Sequence, residues 1–127
     1  MSEPVSGLVV RVGERLYFVP SSLARKVVYR TAVSTVPGTP IGMALVGGQV
    51  VSVIELDRPR AELLLCEPGG ESVALAGVEA VAAGWFEGDA GSVQFEGQTV
   101  PELDVVGELR RVEQQLWLRR GQEGEEA

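Results

Sequence analysis

The sequence contains no histidine, a single cysteine and few aromatic residues. Without histidine, the commonest general base near neutral pH and the commonest neutral metal ligand are both missing. One cysteine, Cys66, cannot form an internal disulfide, so a reducing cytoplasm is the expected compartment. Long apolar runs are also absent: a membrane-crossing helix needs about 18 or more consecutive apolar residues, and no stretch reaches that. The opening "MSEPVSGLVVRVGERLYF" lacks the basic-then-apolar order of an export signal. The expectation is a cytoplasmic protein that does not insert into the membrane.

Positive charge is scarce as well. The formal net charge is −7, from 11 basic and 18 acidic residues. A phosphate backbone would be repelled on average, and the densest basic stretch, "RRVEQQLWLRR", runs straight into "GQEGEE". Nucleic acid is therefore excluded as the expected partner. What the chain does have is apolar content: 45% hydrophobic residues over 127 positions is enough for one domain, or two small subdomains sharing a core.

The pattern of that apolar content is β-like. "GLVVRV", Gly13-Glu14 and "RLYFVP" read as a hairpin, because glycine accepts the positive φ of a tight turn. "SSLARKVVYRTAV" reads as a brief turn, with Ser21 or Ser22 at its start, followed by an extended segment. "TVPGTPIG" is a bend, since two prolines offer no amide hydrogen to a sheet. "GMALVGGQVVSVIEL" is a second hairpin turning at Gly47-Gly48, and "ELLLCE-PGG-ESVALAGV" a third turning at Gly69-Gly70. "EAVAAGWFEGDAG" is ambiguous between strand end and loop, its glycines arguing against a long helix. A last hairpin turns at Glu96-Gly97. Only the end is helical: Val105, Leu109, Val112 and Leu116 recur at the helical period, with Asp104 positioned to cap the start and Gly121 the end. Many short strands with turn residues between them indicate an all-β barrel or sandwich with one appended helix.

Two of these hairpins repeat one another. Shifted by 49 residues, Gly42, Gly48, Gln49 and Val51 fall on Gly91, Gly97, Gln98 and Val100. Ile54 and Glu55 fall on Leu103 and Asp104. A repeat of this period implies two similar β units, neither closing a core alone.

Candidate chemistry is thin. Cys66 lies in the apolar strand "ELLLCE", where packing is the expected role and no base is offered to a thiolate. Ser21 and Ser22 have only Lys26 nearby. Glu55 and Asp104 occupy matching ends of the two repeats but lack further polar partners for acid–base work. The glycines match neither GxxxxGK[ST] nor GxGxxG. The chain is thus expected to be no enzyme, to need no cofactor and to act through its surface. Val28, Ile41, Met43, Trp85, Phe86 and Trp117 are candidates for an apolar patch, with Trp85-Phe86 foremost because aromatics are enriched at interface hot spots.

Across about residues 7–118 the chain resembles CheW-like domains, the scaffold modules of bacterial chemosensory arrays. "LVVRVGERLYFVPSSLARKVV" is similar to that family's opening strand, "YxLP"-like strand and "VxEI"-like segment. "VPGTPIGMALVGGQVVSVIEL" is similar to "PGxP…GxxNLRGxxVPVIDL", and "LLLCEPGGESVALAGVEAV" to the segment containing "GLLVDxV". "GSVQFEGQTVPELDVVGEL" is similar to the closing "GrlvpLLDLexL" pattern. The resemblance implies two small five-stranded, SH3-like β-barrel subdomains around a shared core, followed by a C-terminal helix. With "MSEPVS" read as a loose tail and the polar C-terminal end as frayed, the expected organisation is a flexible tail over residues 1–6, one such domain over 7–118 and an acidic flexible tail over 119–127.

It also implies partners: the cytoplasmic tip of a chemoreceptor (a methyl-accepting chemotaxis protein) and the regulatory domain of a CheA-type histidine kinase. A groove between subdomains would take a receptor helix, and one barrel end the kinase. Contacts are then expected at Ala24, Lys26, Val28, Ile41 and Met43, and at Gly47, Gly48, Val78, Trp85 and Phe86. The sequence departs from the family pattern at informative places. Gly47 replaces the arginine of "NLRG", Ser52 the following proline, Lys26 the glutamate of "VxEI" and Ala76 the aspartate of "VDxV". Losing arginine removes a fork of donors and a fixed charge. These departures keep a second reading open, in which the chain binds only the receptor or another cytosolic signalling or motility protein.

Overall fold

The computed structural model describes residues 3–29, 33–35, 41–58, 62–89 and 91–114. Strand β1 (Glu3–Val12) pairs with β2 (Arg15–Pro20) across the expected Gly13-Glu14 turn, where Gly13 takes a φ of 62°. The two faces of β1 are both buried in part. Val5 and Val9 join a cluster with Phe18, Val93 and Val100, while Leu8, Val10 and Val12 join another. A strand covered on both sides has no polar face to show, which is why "LVVRV" lacks clean alternation.

After β2 the chain crosses to a second sheet through the turn at Ser21–Leu23. Ser21 N donates to Ser6 O at 2.9 Å, and Glu67 N donates to Leu23 O at 2.9 Å, tying the turn to both sheets. Strands β3 (Ala24–Tyr29), β4 (Val33–Thr35), β5 (Ile41–Val46), β6 (Gln49–Glu55), β7 (Glu62–Cys66) and β8 (Val73–Ala76) follow. A single 3-10 turn, Pro68–Gly70, links β7 to β8. Strands β9 (Val78–Asp89), β10 (Ser92–Phe95) and β11 (Gln98–Pro101) then return to the first sheet, and helix α1 occupies residues 105–114.

The described strands form a five-stranded sheet in the order β11-β10-β9-β1-β2 and a six-stranded sheet in the order β3-β7-β8-β6-β5-β4. All neighbours are antiparallel except β6 and β8. Leu103 N donates to Phe18 O at 2.8 Å, bringing the end of β11 back to β2 and curling the first sheet. Two curled half-barrels with a C-terminal helix are the all-β architecture that the family resemblance implies. The three-residue edge strand β4 is the sixth member of the second sheet.

Three apolar clusters hold this together. One lies inside the five-stranded half-barrel, around Val9, Phe18, Val93 and Val100, with Phe86 packed edge-on to Phe18 and Phe95. A second lies inside the six-stranded half-barrel, around Val51, Val53, Leu63 and Leu65. The third joins the two: Val10, Val19 and Val78 from one sheet meet Ile54, Leu64, Cys66 and Leu75 from the other, with Val105 and Val112 of α1. The 49-residue repeat maps onto this arrangement. Val51 and Val100 each fill their own half-barrel, whereas Ile54 and Leu103 both enter the shared core. Gly48 and Gly97 end their turns at φ 82° and 77°.

Two expectations change. Residues 3–6 are not a loose tail: they pair with β9 from Glu3 opposite Gly88 onward, and Val5 packs beside Phe86. The ambiguous "EAVAAGWFEGDAG" is mostly one long strand, β9. Its pairing with β1 slips between Val9–Ala82 and Val10–Ala80, so Val81 is an extra residue that reverses which side chains face inward. Val78 faces the shared core, but Ala82 and Phe86 face the half-barrel interior. The bend at residues 36–40, Leu116, Trp117, Gly121 and the stretch 119–127 lie outside the described residues.

Several measurements follow from these contacts. A Cβ on Gly77 would stand 2.6 Å from Asp57 backbone atoms, at a φ of 80° that alanine resists. Gly77→Ala should therefore cost about 3 kcal/mol or more in urea unfolding. Asp104 Oδ1 accepts from Gly107 N at 2.9 Å and caps α1, so Asp104→Ala should cost about 1 kcal/mol in the same assay. Cys66 is fully buried, and burial pushes its thiol from 9.0 up to about 12. It should stay unmodified by thiol reagents until the chain unfolds. Because the folded thiol holds its proton beyond the unfolded one, its contribution is complete below pH 9.0 and declines as pH rises towards 12. Above pH 9 the wild type should lose stability more steeply than Cys66→Ala.

Candidate partner-binding cleft

The two sheets part where β3 leaves the crossover turn, and an open cleft of about 300 Å³ lies between them. One wall is β3, with Ala24, Lys26 and Val27; the other comes from β1 and β9, with Leu8 and Ala83; Leu64 of β7 also lines it. Leu8 pairs with Ala83 and Ser6 with Trp85 across β1 and β9, so Trp85 extends the outer face of that wall. Its side chain is 73% exposed. An indole held on a rigid strand and left in water is an anchor available to a partner. Below the cleft, Glu62 Oε2 accepts from Ala80 N at 3.2 Å, a direct hydrogen bond between the two sheets.

On the other side of β3, a hollow of about 610 Å³ opens at the end of the six-stranded half-barrel. Lys26 and Gly47 both line it, with Val46, Gln49, Val51 and Leu65. The two main departures from the family pattern are thus brought to one place. Gly47 has a φ of 57° and nothing within 4 Å of where a Cβ would stand. Arg25 Nη2 meets Glu67 Oε2 at 2.8 Å on the rim. A third apolar feature is the outer face of the β5–β6 hairpin, where Leu45 lies opposite Val50 and Met43 opposite Ser52. Met43, Leu45 and Val50 are each more than half exposed.

The candidate contact residues therefore separate into groups. Ala24 and Lys26 share the cleft, with Trp85 at its edge. Gly47 shares the hollow with Lys26, and Gly48 completes the exposed turn. Met43 belongs to the hairpin face, whereas Ile41 packs partly on the shared core and Val28 on the cluster inside the six-stranded half-barrel. Two candidates point inward: Val78 is 2% exposed in the shared core. Phe86 is half-buried, its ring 5.8 Å from Phe18 and 5.9 Å from Phe95. Alternation on β9 turns its neighbour Trp85 outward.

Sequence reasoning missed Leu8, Val27, Leu64 and Ala83, which come together only through the packing of the two sheets. It also missed Leu45 and Val50, although a two-residue turn at Gly47-Gly48 sets those two opposite each other on one face.

No family model matches the chain, and no curated protein matches it. Among solved structures, it is similar to the scaffolding protein TtCheW from Thermoanaerobacter tengcongensis. The TM-score is 0.60 at 18% identity, covering 81% of this chain and 90% of that one. At such identity the likeness is one of fold, and it spans both half-barrels rather than a shared fragment. The chain has a CheW-like fold in a divergent form.

Proposed function

We propose that this chain is a non-catalytic, cytoplasmic CheW-like adaptor that couples the cytoplasmic tip of a chemoreceptor to a CheA-type histidine kinase. The observation that carries this reading is the cleft between the half-barrels, where Leu8, Ala24, Val27, Leu64 and Ala83 form an apolar stretch, with the exposed Trp85 next along β9. An amphipathic helix supplies the matching surface: side chains at helical spacing enter an apolar groove while its polar face stays in water. In this reading Ala24, Val27, Leu64 and Ala83 receive the receptor helix, and Trp85 closes over it. The open end of the six-stranded half-barrel, beside Gly47, receives the kinase's regulatory domain. Nothing in such a task requires a reacting side chain, and the buried, protonated Cys66 offers none.

The hollow supports a second reading. Gly47 presents no side chain, and Lys26 carries the charge opposite to the one the resemblance leads one to expect. A chain that kept the receptor cleft but lost the kinase contact would bind the receptor alone, or another cytosolic signalling protein.

Calorimetric titration separates these readings. With the hairpin fragment of a chemoreceptor encoded beside this chain, the wild type should bind, and Trp85→Ala should weaken binding at least tenfold, as an anchor truncation does. The unfolding midpoint of Trp85→Ala should not change. Binding of the kinase regulatory domain by the wild type supports coupling; binding only by the Gly47→Arg, Lys26→Glu double variant supports the second reading. Binding of neither partner at tens of micromolar contradicts coupling and receptor-only binding alike, and leaves the other cytosolic partner.

A further inference from the structure

Lys26 is the chain's single lysine, in a sequence with 18 acidic and 11 basic residues. Despite that excess of acid, the described lining of the cleft contains Arg25 and Lys26 and no carboxylate. The adjoining hollow contains the same two cations and one carboxylate, Glu67. Arg25 already holds Glu67 at 2.8 Å. Among the described residues, Lys26 is therefore the uncompensated charge of both spaces, exposed on the strand that divides them.

Covering the cleft with a partner removes water from around this ammonium. An apolar or basic surface laid over it would leave a desolvated charge without a counter-ion, which costs several kcal/mol unless the side chain escapes. A carboxylate on the partner removes that cost and fixes the register of an otherwise featureless apolar helix. The rest of the chain, at −7, repels an acidic partner. That repulsion is screened over about 8 Å at physiological salt, whereas a contact pair is screened less. The attraction is thus local, and it selects where an acidic helix docks. Gly47, which lines the hollow with Lys26, leaves open space where a Cβ would stand.

We propose that the cleft receives an apolar helix bearing an aspartate or glutamate that pairs with Lys26. The inference deepens the adaptor reading and rests on it for the helical partner. It differs from what the family pattern implies, because a glutamate at position 26 would select a basic residue instead. Position 47 no longer supplies a cation and position 26 now does, so the charge that a partner meets at position 26 is the reverse of the family pattern's.

The test uses the intact chain and the same receptor hairpin fragment. Zero-length carbodiimide coupling joins a lysine to a carboxylate in contact with it, and peptide mapping should find Lys26 linked to an acidic residue of the fragment. In titrations at about 50 mM salt, Lys26→Glu should weaken binding at least tenfold, and the loss should shrink as salt rises. Changing the linked carboxylate to lysine should restore binding to Lys26→Glu. Ala83→Arg, at an exposed position of the opposite wall, should abolish binding whatever the salt. If Ala83→Arg abolishes binding while Lys26→Glu binds unchanged or tighter, the charge inference is overturned and the cleft stands. If neither variant alters binding, or the fragment does not bind the wild type, the cleft reading fails and this inference with it.

Discussion

The interleaving of apolar side chains between the two sheets is the constraint on which the remaining architecture depends. Neither half-barrel is large: among the described residues, four buried ones anchor the interior of the five-stranded one, and seven that of the six-stranded one. Units of that size sit near the lower limit of independent stability. The shared core contributes eleven more buried residues, and both repeats send one residue into it at the same relative position, Ile54 and Leu103. Helix α1 adds Val105 and Val112 to the same cluster, so the C-terminal segment fastens the two sheets rather than extending either. The cleft is a consequence. Where β3 diverges from β1 and β9, the half-buried Leu8 and the buried Leu64 of the shared core line an opening.

How far this is readable from sequence depends on the distance over which each feature is decided. The hairpins are local. Glycine in a two-residue turn dictates register, so the β1–β2, β5–β6 and β10–β11 pairings follow from Gly13, Gly47-Gly48 and Glu96-Gly97. Even Glu96, at a φ of 48°, accepts the conformation that the turn imposes. The repeat is equally local, and its two copies keep the same inward residues. Strand β9 is not readable in this way, because the extra residue at Val81 breaks the period that would reveal a strand. The start of β1 is misjudged for a related reason: Pro4 and Ser6 suggest a tail, but β9 is long enough to pair with both. The cleft is the least legible feature. Its walls lie far apart in the chain, and only the closing of the shared core brings Ala24 and Ala83 into one space.

Structure and proposed function meet in what this scaffold leaves exposed. Strand β3 holds Lys26 in the lining of the opening, and β9 presents the exposed Trp85 two residues beyond Ala83 of the opposite wall. Among the described residues, the Cys66 thiol is buried and protonated, and Asp104 caps α1. Two of the departures from the family pattern, Lys26 and Gly47, meet beside β3, whereas Ser52 lies on the β5–β6 hairpin and Ala76 is buried.

The most direct test of the central claim is a titration of isotope-labelled protein with the receptor hairpin fragment, followed by amide chemical-shift mapping. Docking in the cleft predicts perturbations centred on Ser6–Leu8, Ala24–Val27 and Ala83–Trp85, the segments that line or edge it. Perturbations centred on the β10–β11 hairpin, with the cleft amides unmoved, would contradict the account.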